Sequence, residues 1–275
     1  MCRSLYLVKL GGSLITDKRR AGSVKRSVIS RLAGEIREAA AERRGCLVLG
    51  HGSGSFGHAA AHRWGFLRAG SERVTTEGIA QTQNRAAELH REVVGALLAA
   101  GAEPFSHAPS SAMLAADGKP VGWGLEPLLA ALARGLLPVV YGDVVLDRRR
   151  DVSICSTETI FLALVRALRR RGYPVCRAVW CGATAGLLNA EGESIPLLEP
   201  GRERAFLSSA GGAEGWDVTG GMRHRIETAL ALARMGVESW IVDGREPGVL
   251  GRALAGKQVP GTLIAAKPVE RAGRR

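Results

Sequence analysis

Cysteine is sparse in this chain: five residues in 275, with no C-x-x-C pair and no His/Cys ligand spacing. Cys2, Cys46, Cys155, Cys176 and Cys181 thus exclude a cysteine-held metal site. Cys46 and Cys176 stand in apolar, strand-like runs and read as buried, inert thiols of a reduced, cytoplasmic chain. Aromatic residues are also scarce, at 5%. No basic patch interleaved with aromatics and no nucleic-acid motif appears, so nucleic acid is not an expected partner. No apolar run is long enough to span a bilayer, and the first residues pass straight into SLYLVKL, so neither a membrane anchor nor a signal peptide is expected. Internal repeats and low-complexity linkers are absent. Acids are outnumbered, 26 Asp and Glu against 38 Lys and Arg, for a net charge of +12. The arginines are spread over a helical segment, Arg31 to Arg44, and loops such as Arg148–Arg150. The excess reads as a solvated surface that attracts small phosphorylated molecules.

What the sequence does contain is alternation. Strand-like runs at Leu5–Leu10, Cys46–Gly50, Leu137–Tyr141, Cys176–Trp180 and Ser239–Val242 are interleaved with helical periodicity. The helical segments are Val28–Arg44, Glu77–Ala100, Leu128–Arg134, Ile160–Arg171 and Arg225–Met235. This order predicts an α/β fold, a three-layer α/β/α sandwich with a mostly parallel central sheet. A soft boundary at Asp147–Ser156, where RRRD breaks the apolar pattern, predicts two lobes of a single domain. Residues 1–150 would hold a substrate and 151–275 a nucleotide, both sharing one sheet.

Three glycine-rich turns punctuate the strand ends. The first, Lys9-Leu10-Gly11-Gly12-Ser13, lets backbone N–H groups approach an anion, and Lys9 can project from its strand end toward bound phosphates. By itself it is also compatible with a plain turn carrying a solvated lysine. Lys18, a little further on, reads by residue type as a surface charge. The second turn, Gly52-Ser53-Gly54-Ser55-Phe56-Gly57, fits the dinucleotide fingerprint G-x-G-x-x-G, with Glu72 downstream as a ribose-binding acid. It lies on the second strand, however, and no helix clearly starts inside it, which argues against a nicotinamide site. His58, which closes it, is either a helix-start residue satisfied by backbone or a donor to a substrate phosphate. The third turn runs from Trp216 to Arg225. Asp217 or Thr219 can cap the following helix, and Gly220 and Gly221 before a basic helix start suit a polyphosphate.

Taken together, VKLGGSLITDK (8–18), GHGSGSFGH (50–58), PVVYGDVVLD (138–147), WDVTGGM (216–222) and GTLI (261–264) resemble the amino acid kinase family. Within it they are most similar to the members whose acceptor is isopentenyl phosphate. The resemblance implies ATP-dependent conversion of isopentenyl phosphate to isopentenyl diphosphate, with Mg²⁺ carried mainly by the nucleotide phosphates and the chain acting as a homodimer. It implies that Lys9, Gly11, Gly12 and Ser13 contact the ATP phosphates, and that Lys18 stabilises the transition state from the other side. Ser53 and Gly54 would offer backbone where donor and acceptor meet, and His58 would hold the acceptor phosphate. Thr157, in the turn after the third strand, would reach the same acceptor. Gly221 and Arg225 would lie along the nucleotide, Arg225 standing where relatives commonly carry lysine.

Two turns depart from the family pattern. Cys155-Ser156-Thr157-Glu158-Thr159 replaces an S-G-D type turn, and Cys181-Gly182-Ala183-Thr184-Ala185-Gly186 replaces T-D-V-D-G. The loss of those acids predicts altered contacts on the nucleotide side. A same-fold kinase of another phosphomonoester or a phosphonate shares all these loops, as does a nucleotide-binding protein without catalysis. The prenyl tail calls for an apolar pocket, for which Ile79, Ala86, Leu89, Val93, Val94 and Leu97 of the long helix are candidates. A stripe of this spacing more commonly faces the core.

Overall fold

A computed structural model of the chain describes residues 4–17, 19–66, 74–189, 192–201 and 220–266. Its centre is an eight-stranded sheet. The N-terminal part supplies β1 (Leu5–Leu10), β2 (Leu47–His51), β3 (Pro104–Ser106) and β6 (Leu137–Tyr141). The C-terminal part supplies β9 (Val175–Gly182), β12 (Leu197–Leu198), β13 (Glu238–Asp243) and β14 (Thr262–Ile264). The strand order is β12-β14-β13-β9-β1-β2-β6-β3. All neighbouring pairs are parallel except β13 with β14. The expected mostly parallel sheet is what forms, because its central strands are apolar on both faces and must be covered twice.

The covering helices divide by strand alternation. Leu5 and Leu7 of β1 point into one core, with α6 (Glu126–Ala133), α7 (Thr157–Arg170) and α8 (Gly220–Arg234). Val8 and Leu10 point into the other, with α2 (Arg26–Glu42), α4 (Thr76–Ala99) and α9 (Val249–Leu254). Ala86, Leu89, Val93 and Leu97 of α4 are buried, so the helical stripe that was a candidate tail pocket serves mainly as core.

A second, four-stranded sheet, ordered β5-β4-β7-β8, was not foreseen. It comprises β4 (Met113–Ala116), β5 (Lys119–Trp123), β7 (Asp143–Asp147) and β8 (Asp151–Cys155). Arg148–Arg150, read above as part of a lobe boundary, form the turn of its β7–β8 hairpin. The buried Asp147 explains the local chain path: its carboxylate accepts from Asp117 N, Gly118 N, Arg149 N and Arg150 N and from Ser153 Oγ, at 2.6–3.1 Å. One side chain therefore clamps two hairpin turns together.

The cysteine expectation needs correction at two positions: Cys176 is half-buried and not sealed into the core, and Cys46 is not a thiol. Cys155, Cys176 and Cys181 are free thiols, but Cys46 is half-buried and disulfide-bonded, its partner lying outside the described residues. Cys46 precedes β2 instead of lying within it, and at that turn it is not sealed into the core.

Candidate active site

Alternation along β1 decides what Lys9 meets. Two residues beyond Leu7, Lys9 shares its face and points toward α7 and α8 at the carboxyl end of the central strand. It is only 5% exposed and forms an ion pair with Glu158, in the first turn of α7. The helix N-terminus favours a carboxylate there, and Ser156 caps it by accepting from Thr159 N at 3.1 Å. Arg225, near the start of α8, completes the group from the other side. Its Nε lies 3.9 Å from Glu158 Oε1, beyond hydrogen-bond reach, and has no hydrogen-bond partner among the described residues. His224, next to it, binds Ser156 Oγ at 3.0 Å and so ties the starts of α7 and α8 together.

The electrostatics of this trio are those of a site awaiting an anion. Burial pushes the Lys9 ammonium below its ordinary value and Arg225 adds to that, while Glu158 opposes both. Burial also works against ionisation of Glu158, but Lys9 and then Arg225 outweigh it and hold the carboxyl below its usual range. Among the described residues, two buried cations thus share one carboxylate, an imbalance that a polyanion would correct. Glu158 is the acid that the sequence comparison treated as lost. It sits within the divergent turn, and its carboxylate stands at the centre of the cluster.

The glycine turns after β1 and β2 touch each other beside Lys9. A Cβ on Gly12 would lie 2.7 Å from both Gly54 N and Gly54 Cα, and one on Gly52 would lie 2.9 Å from Gly12 N. Thr16, fully buried, stitches the two turns: its hydroxyl donates to Gly12 O at 2.7 Å and accepts from Ser55 N at 2.9 Å. Arg225 needs glycine opposite it, since a Cβ on Gly182 would come within 2.8 Å of its Nη1. Contrary to expectation, a helix does start inside the second turn: α3 spans Gly54–Arg63, and no side chain caps its N-terminus. Gly54 is the residue that permits this, with φ +50° and no room for a Cβ beside Thr16. Backbone N–H groups at an uncapped helix start suit an anion.

The expected site residues distribute as follows. Lys9, Gly11, Gly12, Ser53, Gly54 and Arg225 lie together at the carboxyl ends of β1 and β2, with Ser13 half-buried beside them, where Ser13 O accepts from Lys25 Nζ at 3.1 Å. His58 is exposed on the second turn of α3, and Gly221 is exposed at the start of α8. Lys18, Glu72, Trp216, Asp217 and Thr219 lie outside the described residues. Thr157 does not follow the third strand directly, because the hairpin intervenes. It is 1% exposed, and its hydroxyl donates to His51 O at 2.6 Å. It therefore tethers α7 to β2 and is not a group held out to an acceptor. A cavity of about 960 Å³ lies apart, among Arg20, Arg26, Arg85, Glu88 and Arg91 over Phe56. Its wall is mixed, with Val24, Ile29 and Ala96 beside the charged groups.

Comparison with known proteins agrees with this geometry. Residues 4–243 match the model of the amino acid kinase family. The isopentenyl phosphate kinase of Methanothermobacter thermautotrophicus is 36% identical, over 96% of this chain and 100% of that protein. The isopentenyl phosphate kinase of Haloferax volcanii is 30% identical, over 90% of this chain and 99% of its own. A solved isopentenyl phosphate kinase structure superposes with a TM-score of 0.76 at 31% identity, covering 94% of this chain and all of that one. With two touching glycine turns, a buried Lys-Glu-Arg cluster at the end of the central strands and a match over most of its length, the chain belongs to the amino acid kinase family.

Proposed function

We propose that the protein transfers the terminal phosphoryl group of ATP to isopentenyl phosphate, yielding isopentenyl diphosphate. The observation that carries this reading is the buried Lys9–Glu158–Arg225 cluster, with more cation than anion, opening onto two glycine turns in contact. The full-length relatives named above supply the acceptor's identity.

In this reading the acceptor needs no general base. A phosphate monoester has its second pKa near 6 and arrives mostly as the dianion at neutral pH. The barrier comes from bringing two anions together in line, so the protein contributes alignment and charge neutralisation. Lys9 neutralises the phosphoryl group in transit, and Glu158 keeps Lys9 and Arg225 oriented. Arg225 lies along the nucleotide phosphates with Gly221 at the helix start. Gly11, Gly12 and Ser13 offer backbone to the donor, while Ser53 and Gly54 offer it where donor and acceptor meet. His58 grips the acceptor phosphate and Lys18 approaches from the opposite side. Glu158 is committed to its two cations, so a Mg²⁺ ion would be held by the nucleotide's own phosphates, whose charge it would offset. We further propose a homodimer, with its stoichiometry to be read by sedimentation.

A coupled assay of ADP release across phosphate monoesters and a phosphonate tests the reading. Isopentenyl phosphate should give the highest kcat/KM. Preference for another acceptor would reassign the substrate, and ATP binding without turnover of any acceptor would overturn the catalytic reading.

A further inference from the structure

Behind the second glycine turn, on the face away from Lys9, lies a buried polar chain that the proposed reaction leaves unused. His51 is the last residue of β2, on the same side as Leu47 and Leu49, where α4 packs. Its Nδ1 is 3.0 Å from Gly52 O, and its Nε2 is 3.1 Å from Nδ1 of His90 on α4. His90 Nε2 is in turn 2.8 Å from Ser106 Oγ on β3. Tyr141, at the end of β6, stacks on both imidazoles, with ring centroids 5.5 Å from His51 and 4.3 Å from His90.

The proton positions in this chain are determined by its end. A carbonyl oxygen can only accept, so His51 Nδ1 carries the proton given to Gly52 O. His51 Nε2 is then a lone pair and must accept from His90 Nδ1–H. His90 Nε2 is then the lone pair that accepts from the Ser106 hydroxyl. One tautomer of each ring satisfies every bond, and burial keeps both rings neutral. The donors run one way, from Ser106 to His90 to His51 to the Gly52 carbonyl.

The consequence falls on the next peptide bond. In a trans peptide the carbonyl and the following N–H point in opposite directions, and no cis peptide occurs among the described residues. With Gly52 O drawn toward the imidazole on the α4 side, Ser53 N–H points to the side that holds Lys9 and Thr157. Consistent with this, a Cβ on Gly142 would lie 3.5 Å from Ser53 N and 3.6 Å from Thr157 Oγ1. The flanking groups are already tied: Gly52 N donates to Leu10 O, and His51 O accepts from Gly142 N and Thr157 Oγ1. No acceptor among the described residues takes Ser53 N–H.

We propose that His51 is a positioning residue for phosphoryl transfer: backed by His90 and Ser106, its imidazole locks the Gly52–Ser53 peptide so that Ser53 N–H is aimed at the transferring group. This rests on the kinase reading and adds to it a device for orienting one anion-stabilising donor. A donor of this kind, fixed before reaction, costs no reorganisation when charge develops, and losing one lowers kcat by about 10²–10³.

The test is a substitution series in the full-length protein. His51→Leu removes the donor while keeping an apolar side chain. His51→Asn places an amide N–H where Nδ1–H stood. His90→Phe keeps a ring in the stack but leaves His51 Nε2 unpaired. The expected result for His51→Leu is a fall in kcat of about 30-fold or more, with KM for both substrates within about threefold, because the lost interaction belongs to the transition state. His51→Asn should recover most of that loss, and His90→Phe should lie between. Equal impairment of His51→Asn and His51→Leu would overturn the proposal, as would a change confined to KM, or no change. A second readout does not need turnover: the amide proton shift of Ser53 on adding ATP. It should move fully in the wild type and in His51→Asn and by a clearly smaller amount in His90→Phe, which also serves should His51→Leu fail to fold. If the wild type turns over no acceptor while this pattern of shifts holds, the kinase reading falls and the positioning role stands. The same Ser53 shift in all variants overturns the role and leaves the kinase reading intact.

Discussion

Between pH 7.5 and 5.5 the folded protein should lose about 3 kcal/mol of stability through two histidines that carry no net charge in the native state. His51 is 0% exposed and His90 6%. Burial is the leading cause of their depressed basicity, pulling His51 down to about 4 and His90 to about 3 from an ordinary 6.5. The charge of Lys9, on the other face of the sheet, acts in the same direction on His51, as do His51 and Arg91 on His90, while the Gly52 hydrogen bond opposes it for His51. The sign follows from linkage. As pH falls through 6.5 the unfolded chain binds a proton on each ring and the folded chain does not, so acidification favours unfolding. The stabilisation is complete above 6.5 and shrinks below it until the folded-state values are reached. At pH 5.5 each ring is one unit below its unfolded pKa, and RT ln 11 gives about 1.4 kcal/mol per ring. The window ends above the range in which carboxylates titrate, and His107, also lowered by burial, adds with the same sign. Urea denaturation at several pH values measures the effect as a shift of midpoint at constant m. The double variant His51→Asn/His90→Gln should flatten most of the slope. A wild-type midpoint that stayed level or rose on acidification would refute the assignment of both rings as buried and neutral.

Three further outcomes are expected. Glu158→Gln should destabilise the fold by about 3 kcal/mol or more, because Lys9 and Arg225 become buried cations without a counter-charge; ATP should then raise the variant's Tm more than the wild type's, read by scanning calorimetry. His58→Ala should lower turnover or acceptor affinity in the coupled assay while ATP affinity, followed by titration calorimetry, stays within about twofold; unchanged kinetics would remove His58 from the mechanism. Gly12→Ala should cost about 1–3 kcal/mol and most activity by forcing two backbones apart, whereas Gly34→Ala in α2, with no atom within 4 Å of a new Cβ, should stabilise by about 1 kcal/mol; paired thermal melts and assays separate the two.

The contrast between what the sequence revealed and what it hid has a physical pattern. Strands β1, β2, β6, β9 and β13 were legible because central parallel strands are apolar on both faces and end in glycine turns. The β7–β8 hairpin was not, since its alternation is short and RRRD at the turn resembles a break; what organises it is Asp147, whose partner turn at Asp117–Gly118 lies 29–30 residues away. Lys9 and Arg225 were found as cations beside glycines. Glu158 was passed over because its turn departs from the family pattern, and a carboxylate's role there depends on a partner 149 residues distant. The one available signal was its place in the first turn of a helix that follows a strand. His51 lay inside the most conspicuous motif and still escaped notice, because its meaning rests on His90, 39 residues on, across a helix–sheet interface.

The seam between β1 and β9 has a consequence for how the protein comes into being. Lys9 is made early, while Glu158 and Arg225 are made after the whole first half of the central sheet. During synthesis, a chain that has reached β6 carries the lysine with nothing to neutralise it, and burying it at that stage is unfavourable. The end of β1 therefore stays wet until α7 emerges and docks. A fragment that stops short of Glu158 should therefore expose Lys9 and the apolar seam together and depend on chaperones.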